Sequence, residues 1–287
     1  MYEKFGIDLT DEQEADVVMF GALLGERAEE MMKSLRKTSW FVEFYDVDQQ
    51  KNLIEGLKIA DAGDIEVKTG NEITEKVEDI IKRGKFPFMF CISHLATYFP
   101  LKALPKDVKI VSFDAHFDTK NNYIDEKMVE SVFPLDFDEE KIKKFNRGTW
   151  ARRSFEENKR EYCFVGARSG DEFDVQFMKD NNFLYFTPKM IRENFDEVKS
   201  KLREFVKNSK IYLTFDIDVF DPSIAPGVGH PEPDGVFWHQ VQALLHEVSG
   251  GKIVGADLVE VEPMKDNIVT EFLAVRTIFE ILSLIKT

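Results

Sequence analysis

The chain is short of cysteine, of histidine and of positive charge. Its two cysteines, Cys91 and Cys163, lie in the apolar runs "FMFCIS" and "EYCFVGA". That placement offers neither a disulfide framework nor a CxxC site, and it fits a reducing compartment. Lysine and arginine total 38 against 53 aspartates and glutamates, a formal net charge of −15 at pH 7. So acidic a surface repels phosphate backbones, which argues against nucleic acid as a partner. It suits small cationic substrates, and equally plain solubility. No apolar run approaches the ~20 residues of a membrane span. The N-terminus "MYEKFGIDLTDEQEADVVMF" lacks the basic stretch and apolar core of a signal peptide. A cytoplasmic protein with no membrane partner is expected.

What is present is regular alternation. With 287 residues and 43% hydrophobic side chains, the chain can bury a large core without staples. Short apolar runs at 15–21, 40–46, 57–61, 86–92, 108–114, 162–167, 182–186, 210–216 and 252–261 read as strands. Several are apolar on both faces, as strands of a covered parallel sheet are. Between them, 71–84, 194–208 and 270–286 carry helical periodicity. The alternation predicts a three-layer α/β/α fold around a mostly parallel sheet of about eight strands, with residues 1–287 as one catalytic domain. The least regular stretch, 119–150, is rich in acid: Asp125, Glu126, Glu130, Asp136, Asp138, Glu139 and Glu140. It reads either as a functional loop after a strand end or as a solvated charge run.

The chemistry falls at strand ends. "VKIVSFDAHFD" finishes in Asp114, His116 and Asp118, "KIYLTFDID" in Asp216 and Asp218, and "FPFMFCISH" in His94. In extended chain, residues two apart face the same side, and open parallel sheets bind ligands beyond the C-terminal ends of their strands. Four carboxylates brought together there repel strongly unless cations relieve them. Two imidazoles and four carboxylates are mixed nitrogen and oxygen donors, suited to Mn²⁺ or a similar ion rather than to thiolate-type zinc. Six ligands exceed what one catalytic metal needs, and two metals sharing a carboxylate would use them.

"SFDAHFD" and "TFDIDVFDPSIAPGVGHPEPDG" resemble the two signature segments of the ureohydrolase family of agmatinases, arginases and formiminoglutamases. "CISHL", "GADLVEVEP" and "LKIADAGDIEV" are similar to further family segments, so the resemblance runs from about residue 15 to 280. It implies an arginase-like fold and two Mn²⁺ ions held by His94, Asp114, His116, Asp118, Asp216 and Asp218. It implies hydrolysis of a guanidino compound by a metal-bridging hydroxide that Asp118 orients, releasing urea and an amine. Glu260 matches the acid that receives the substrate guanidinium, and a carboxylate can accept two parallel N–H bonds from that planar group. Arg147 and Thr149 match substrate-contacting positions. The family is commonly trimeric or hexameric, which implies a homo-oligomer.

The sequence also departs from the family pattern. The aspartate that usually precedes the ligand histidine is Ser93, which leaves the support of His94 open. The position of the family's proton-shuttling histidine is Arg147, in "NRGTWARRS", and arginine cannot serve as a general base near neutral pH. His230, in "GVGHP", stands where relatives have threonine. It is the replacement candidate for the proton step, the alternative being a plain loop residue. The acidic stretch after Asp118 argues for a cationic tail, hence agmatine giving putrescine and urea. Arginase, guanidinobutyrase or formiminoglutamase activity are alternatives, and so is a catalytically weak metal-binding homologue with a regulatory role.

Overall fold

In the computed structural model, which describes residues 2–124 and 126–285, ten strands form. They are β1 (Val17–Leu23), β2 (Tyr45–Asp46), β3 (Lys51–Asn52), β4 (Ile59–Glu66), β5 (Phe86–Cys91), β6 (Lys109–Phe113), β7 (Tyr162–Val165), β8 (Leu184–Phe186), β9 (Lys210–Asp216) and β10 (Lys252–Val259). Eight make one sheet in the order β4-β1-β5-β10-β9-β6-β7-β8. Every pairing within it is parallel. Parallel neighbours need crossover connections, and the amphipathic stretches supply them as helices on both faces.

Side-chain alternation divides the core. Phe86, Phe88 and Phe90 of β5, with Ile211, Leu213 and Phe215 of β9, face one layer. That layer holds Met31, Met32 and Leu35 of the helix Ala28–Ser39 and Val241, Leu244 and Leu245 of the helix Trp238–Val248. Met89, Cys91 and Tyr212 face the other, against Ile73, Val77 and Ile80 of the helix Asn71–Lys82 and Phe155 of the helix Trp150–Asn158. The three-layer α/β/α fold with a central sheet of eight strands is as the sequence predicts. The helices expected over 71–84, 194–208 and 270–286 form as Asn71–Lys82, Phe195–Val206 and Val269–Leu282, with the last predicted residue, Lys286, outside the described residues. Among the described residues, no helix is long and apolar enough to cross a membrane.

One expected strand is absent from the sheet. The run 40–46 gives only the two residues of β2, paired antiparallel with β3. Its aromatics turn outward: Trp40, Phe41 and Tyr45 are each more than half exposed. Trp40 ends the helix Ala28–Ser39 instead: its N–H donates to the carbonyl of Lys37, and the N–H of Phe41 to that of Thr38. Apolar composition without a free sheet edge does not make a strand.

The acidic stretch is not one long loop either. It folds into the helices Glu126–Val132 and Glu139–Lys144. Asp138 caps the second, and Glu139 and Glu140 pair with Lys143. Asp125 and the side chain of Glu126 lie outside the described residues.

Behind β1, Arg36 is 5% exposed and holds the layer above it to the edge of the sheet. Its Nε donates to Asp61 at 2.9 Å and its Nη2 to Asp64 at 2.7 Å. Burial opposes the charge, but the two carboxylates outweigh it and raise the guanidinium pKa further. Removing one partner of such a pair leaves a buried charge alone, at a cost of about 3–5 kcal/mol. Arg36→Met is therefore expected to lower unfolding stability by that amount in urea titration. A loss below about 1 kcal/mol would show that the pair is not needed to dock this helix.

Candidate metal centre and active-site cleft

The four central neighbours β5, β10, β9 and β6 end side by side, and each delivers a polar residue past its C-terminal end. His94 follows β5, Asp114, His116 and Asp118 follow β6, Asp216 and Asp218 close β9, and Glu260 follows β10. Asp118 and Glu260 both adopt left-handed backbone conformations, φ 51° and 63°. Such values are uncommon for residues other than glycine and gather at functional sites.

The residues form two overlapping groups, His94–Asp114–Asp216 and Asp114–His116–Asp218, which share Asp114. Nδ1 of His94 lies 3.1 Å from Asp114, 3.1 Å from Asp216 and 3.4 Å from Asp118. Nδ1 of His116 lies 3.0 Å from Asp218 and 3.6 Å from Asp114. All six predicted ligands thus converge on one spot. Among the described residues, no lysine or arginine comes within ion-pairing distance of these four aspartates.

The charges cannot stand as they are. Burial, then the charge of Asp114, pushes the Asp118 carboxyl well above its ordinary range. Burial, then Asp218 and Asp114, does the same to Asp216. For Asp218 burial acts the same way, but His116 outweighs it and the pKa falls. Burial works against protonation of His94, yet Asp114 and Asp216 beside it raise its pKa well above normal. Like charges about 4 Å apart cost roughly 4 kcal/mol at an effective dielectric constant of about 20. Protons or cations must fill the deficit. Nδ1 of His94 and Oδ2 of Asp114 are buried with no hydrogen-bond partner among the described residues. Mixed nitrogen and oxygen donors converging in this way are what a pair of divalent cations requires.

The support of His94 is a set of residues not foreseen in the sequence. Its Nε2 lies 2.9 Å from Thr214 Oγ1, and that hydroxyl donates to Asp257 Oδ1 at 2.6 Å. With its proton committed to Asp257, Thr214 accepts from Nε2–H, which leaves Nδ1 as the lone-pair nitrogen. Thr97 and Tyr212 donate to the other oxygen of Asp257. The support of His94 thus comes from β9 and β10 and not from the residue before it. Trp150 supports the opposite side: its ring lies 4.7 Å from that of His94, and its Nε1 donates to Asp118 at 2.7 Å. The signal for Asp257 was a lone acid inside the apolar run "IVGADLV", in a strand too buried to leave it without partners.

Above the centre lies a cleft of about 300 Å³ whose wall includes His230, Arg147, Lys120, Tyr123 and Glu232. His230 stands beside His116, with ring centroids 6.0 Å apart. Burial, then the nearby Arg147, lowers its pKa. Arg147 donates from Nη1 to Glu260 Oε2 at 2.7 Å, while the backbone N–H of His94 donates to Oε1 at 2.8 Å. Thr149 does not reach the cleft. It is fully buried, donating to the carbonyl of Lys144 and accepting from the N–H of Asn146. Among the described residues, the acids that line the cleft beside the four aspartates are Asp171, Asp174, Glu232 and Glu260, none of them from the stretch 125–140. Lys120 answers Asp171 and Asp174, at 2.7 and 3.3 Å.

The chain matches the model of the arginase family over residues 28–283. It is 30% identical over 272 residues to the agmatinase of Bacillus subtilis, covering 89% of this chain and 86% of that one. It is 32% identical over 234 residues to an uncharacterised 32.2 kDa protein of Methanothermus fervidus, with 79% and 75% covered. The crystal structure of the agmatine ureohydrolase of Thermoplasma volcanium superposes with a TM-score of 0.80 at 25% identity, covering 98% of this chain and 94% of that one. The chain belongs to the arginase family, hydrolases of guanidino compounds whose centres are binuclear in metal.

Asp257→Asn keeps the shape of the site but weakens the acceptor behind Thr214. Loss of such outer support typically costs 10–100-fold in metal affinity. That loss is the expected result when Mn²⁺ binding is titrated by calorimetry on the metal-stripped variant. An unchanged affinity would show that Thr214 orients His94 without help.

Proposed function

We propose that the protein hydrolyses a cationic guanidino compound, with agmatine the best candidate, to urea and an amine. The observation that carries this is the pair of histidine–aspartate groups sharing Asp114 on the floor of an acid-walled cleft. His94, Asp114, His116, Asp118, Asp216 and Asp218 would hold two Mn²⁺-class ions. Such ions lower the pKa of bound water, so that a nucleophile is available near neutral pH. The remaining work belongs to the chain. Asp118, fixed by Trp150, orients the attacking water. Glu260 receives the guanidinium of the substrate. His230, on the cleft wall beside His116, passes a proton to the departing amine. Thr149 holds the turn that carries Arg147.

The substrate tail would face Glu232, which lies 3.9 Å from His116 Nε2 and accepts from Ser169. A carboxylate there favours the free amine of agmatine. The second reading, a carboxylate tail as in 4-guanidinobutyrate, draws on Arg147 and Lys120, but acids already answer both cations. We take the whole chain as one catalytic domain of a cytoplasmic homo-oligomer, trimeric or hexameric, serving polyamine formation through putrescine.

Two measurements test the reading. With Mn²⁺ present, kcat/KM is expected to be about tenfold or more higher for agmatine than for arginine or 4-guanidinobutyrate, since ~1.4 kcal/mol is a factor of ten. The margin should narrow at high salt, where exposed charges are screened. Preference for either carboxylate-bearing substrate would overturn the choice of agmatine. Separately, His230→Ala is expected to lower kcat about 10²-fold, the usual order for a general acid. An unchanged kcat would return His230 to the role of a loop residue.

A further inference from the structure

The chain already carries a guanidinium on the carboxylate that the guanidino reading assigns to the substrate. Both oxygens of Glu260 are in use, Oε1 by the N–H of His94 and Oε2 by Arg147. The pair is enclosed, with the side chains 10% and 5% exposed. Each oxygen can accept a further bond, but the single negative charge that a substrate guanidinium would pair with is already held by Arg147.

Arg147 is attached to this seat at few points. Its Nη2 reaches the carbonyl of Lys127 at 3.5 Å, the outer limit of a hydrogen bond. Its Nε is buried with no partner among the described residues. A second cavity, of about 210 Å³, opens on its far side, and Glu262 lines it. Glu262 already bears on the Arg147 charge and has a loose pair with Arg27 at 3.8 Å. The passage between the two acids runs past Gly229. A Cβ at that position would stand 2.5 Å from Glu262 Oε1 and 3.0 Å from Arg147 Nη1.

We propose that Arg147 is the specificity-determining residue of the cleft: it competes with the substrate guanidinium for Glu260, and it yields by turning into the neighbouring cavity, where Glu262 receives it. The proposal rests on the guanidino reading of the site. Exchange of one guanidinium for another leaves Glu260 paired throughout, so the cost of binding is the relocation of Arg147. When the competent state is a fraction f of the whole, apparent affinity falls by that fraction. An arginine seated on Glu260 nine-tenths of the time weakens every guanidinium ligand about tenfold. Compounds that bind well must then recover this through their tails, which makes the cleft selective for the tail and poor at binding small guanidines.

The test measures binding rather than turnover. Guanidinium chloride, and then agmatine, is titrated calorimetrically into the full-length Mn²⁺-loaded protein. Arg147→Met is expected to bind guanidinium about tenfold tighter than wild type, and adding Glu260→Gln should abolish the gain. Glu262→Gln should weaken binding several-fold when Arg147 is present and have no effect in the Arg147→Met background. Should the Met variant fail to fold, Arg147→Gln, which can still donate an N–H to Glu260, carries the same comparison. Equal or weaker guanidinium binding without Arg147 overturns the proposal. A Glu262→Gln effect that persists without Arg147 overturns the receiving role of Glu262. If affinities shift as stated while no guanidino compound is hydrolysed, the reading of the function fails and the competition stands. If wild type releases urea while affinities do not shift, the competition fails and the reading stands.

Discussion

Four aspartates meet at the floor of one buried cleft, and this mutual repulsion sets the terms for everything around them. Asp114 and Asp218 are buried and Asp216 is 3% exposed, so water cannot screen them as it screens surface acids. A helix end or mobile loop would relieve such repulsion by moving apart. The ends of β6 and β9 cannot, because each strand is hydrogen-bonded along its length to its neighbours. Protons or cations must offset the repulsion, because the strand ends cannot spread apart. A parallel sheet thus holds these candidate ligands in place at its four central strands rather than at an edge.

The same constraint explains the buried polar residues behind the cleft. Asp257 accepts from Thr97, Thr214 and Tyr212 inside an otherwise apolar layer. Burial pushes its carboxyl up, against the lowering influence of His94 and of those hydroxyls. A buried acid contributes little to stability that a well-packed apolar side chain would not. Its use here is directional, since it settles which nitrogen of His94 faces the aspartates.

Much of this was legible in the sequence, and what was not has a common cause. Short apolar runs placed the strands, and the spacing of Asp114, His116 and Asp118 at a strand end put the ligands on one side. Those are local properties of the chain. The pairing of Arg147 with Glu260 spans 113 residues and that of His94 Nε2 with Thr214 spans 120. Neither partner carries a local pattern that marks it. The run 40–46 misled because its aromatics satisfy strand composition while the sheet closes its edge with β4. In the acidic stretch, Asp138 caps a helix and Glu139 and Glu140 pair with Lys143, so these three acids are not on the cleft wall.

Charge balance links the centre to the choice of substrate. Two divalent cations would offset the four ligand aspartates. Lys120 answers Asp171 and Asp174. Glu260 carries a single negative charge, and Arg147 already pairs with it. Glu232 accepts from a neutral hydroxyl and, among the described residues, has no lysine or arginine within ion-pairing distance of its carboxylate, while Arg168 donates to its backbone carbonyl. A ligand entering the loaded cleft therefore meets a nearly neutral floor, a contested anion at Glu260 and an open one at Glu232. On the proposed reading of the site, that combination would favour a molecule with positive charge at both ends and leave a lone guanidinium with only the contested site.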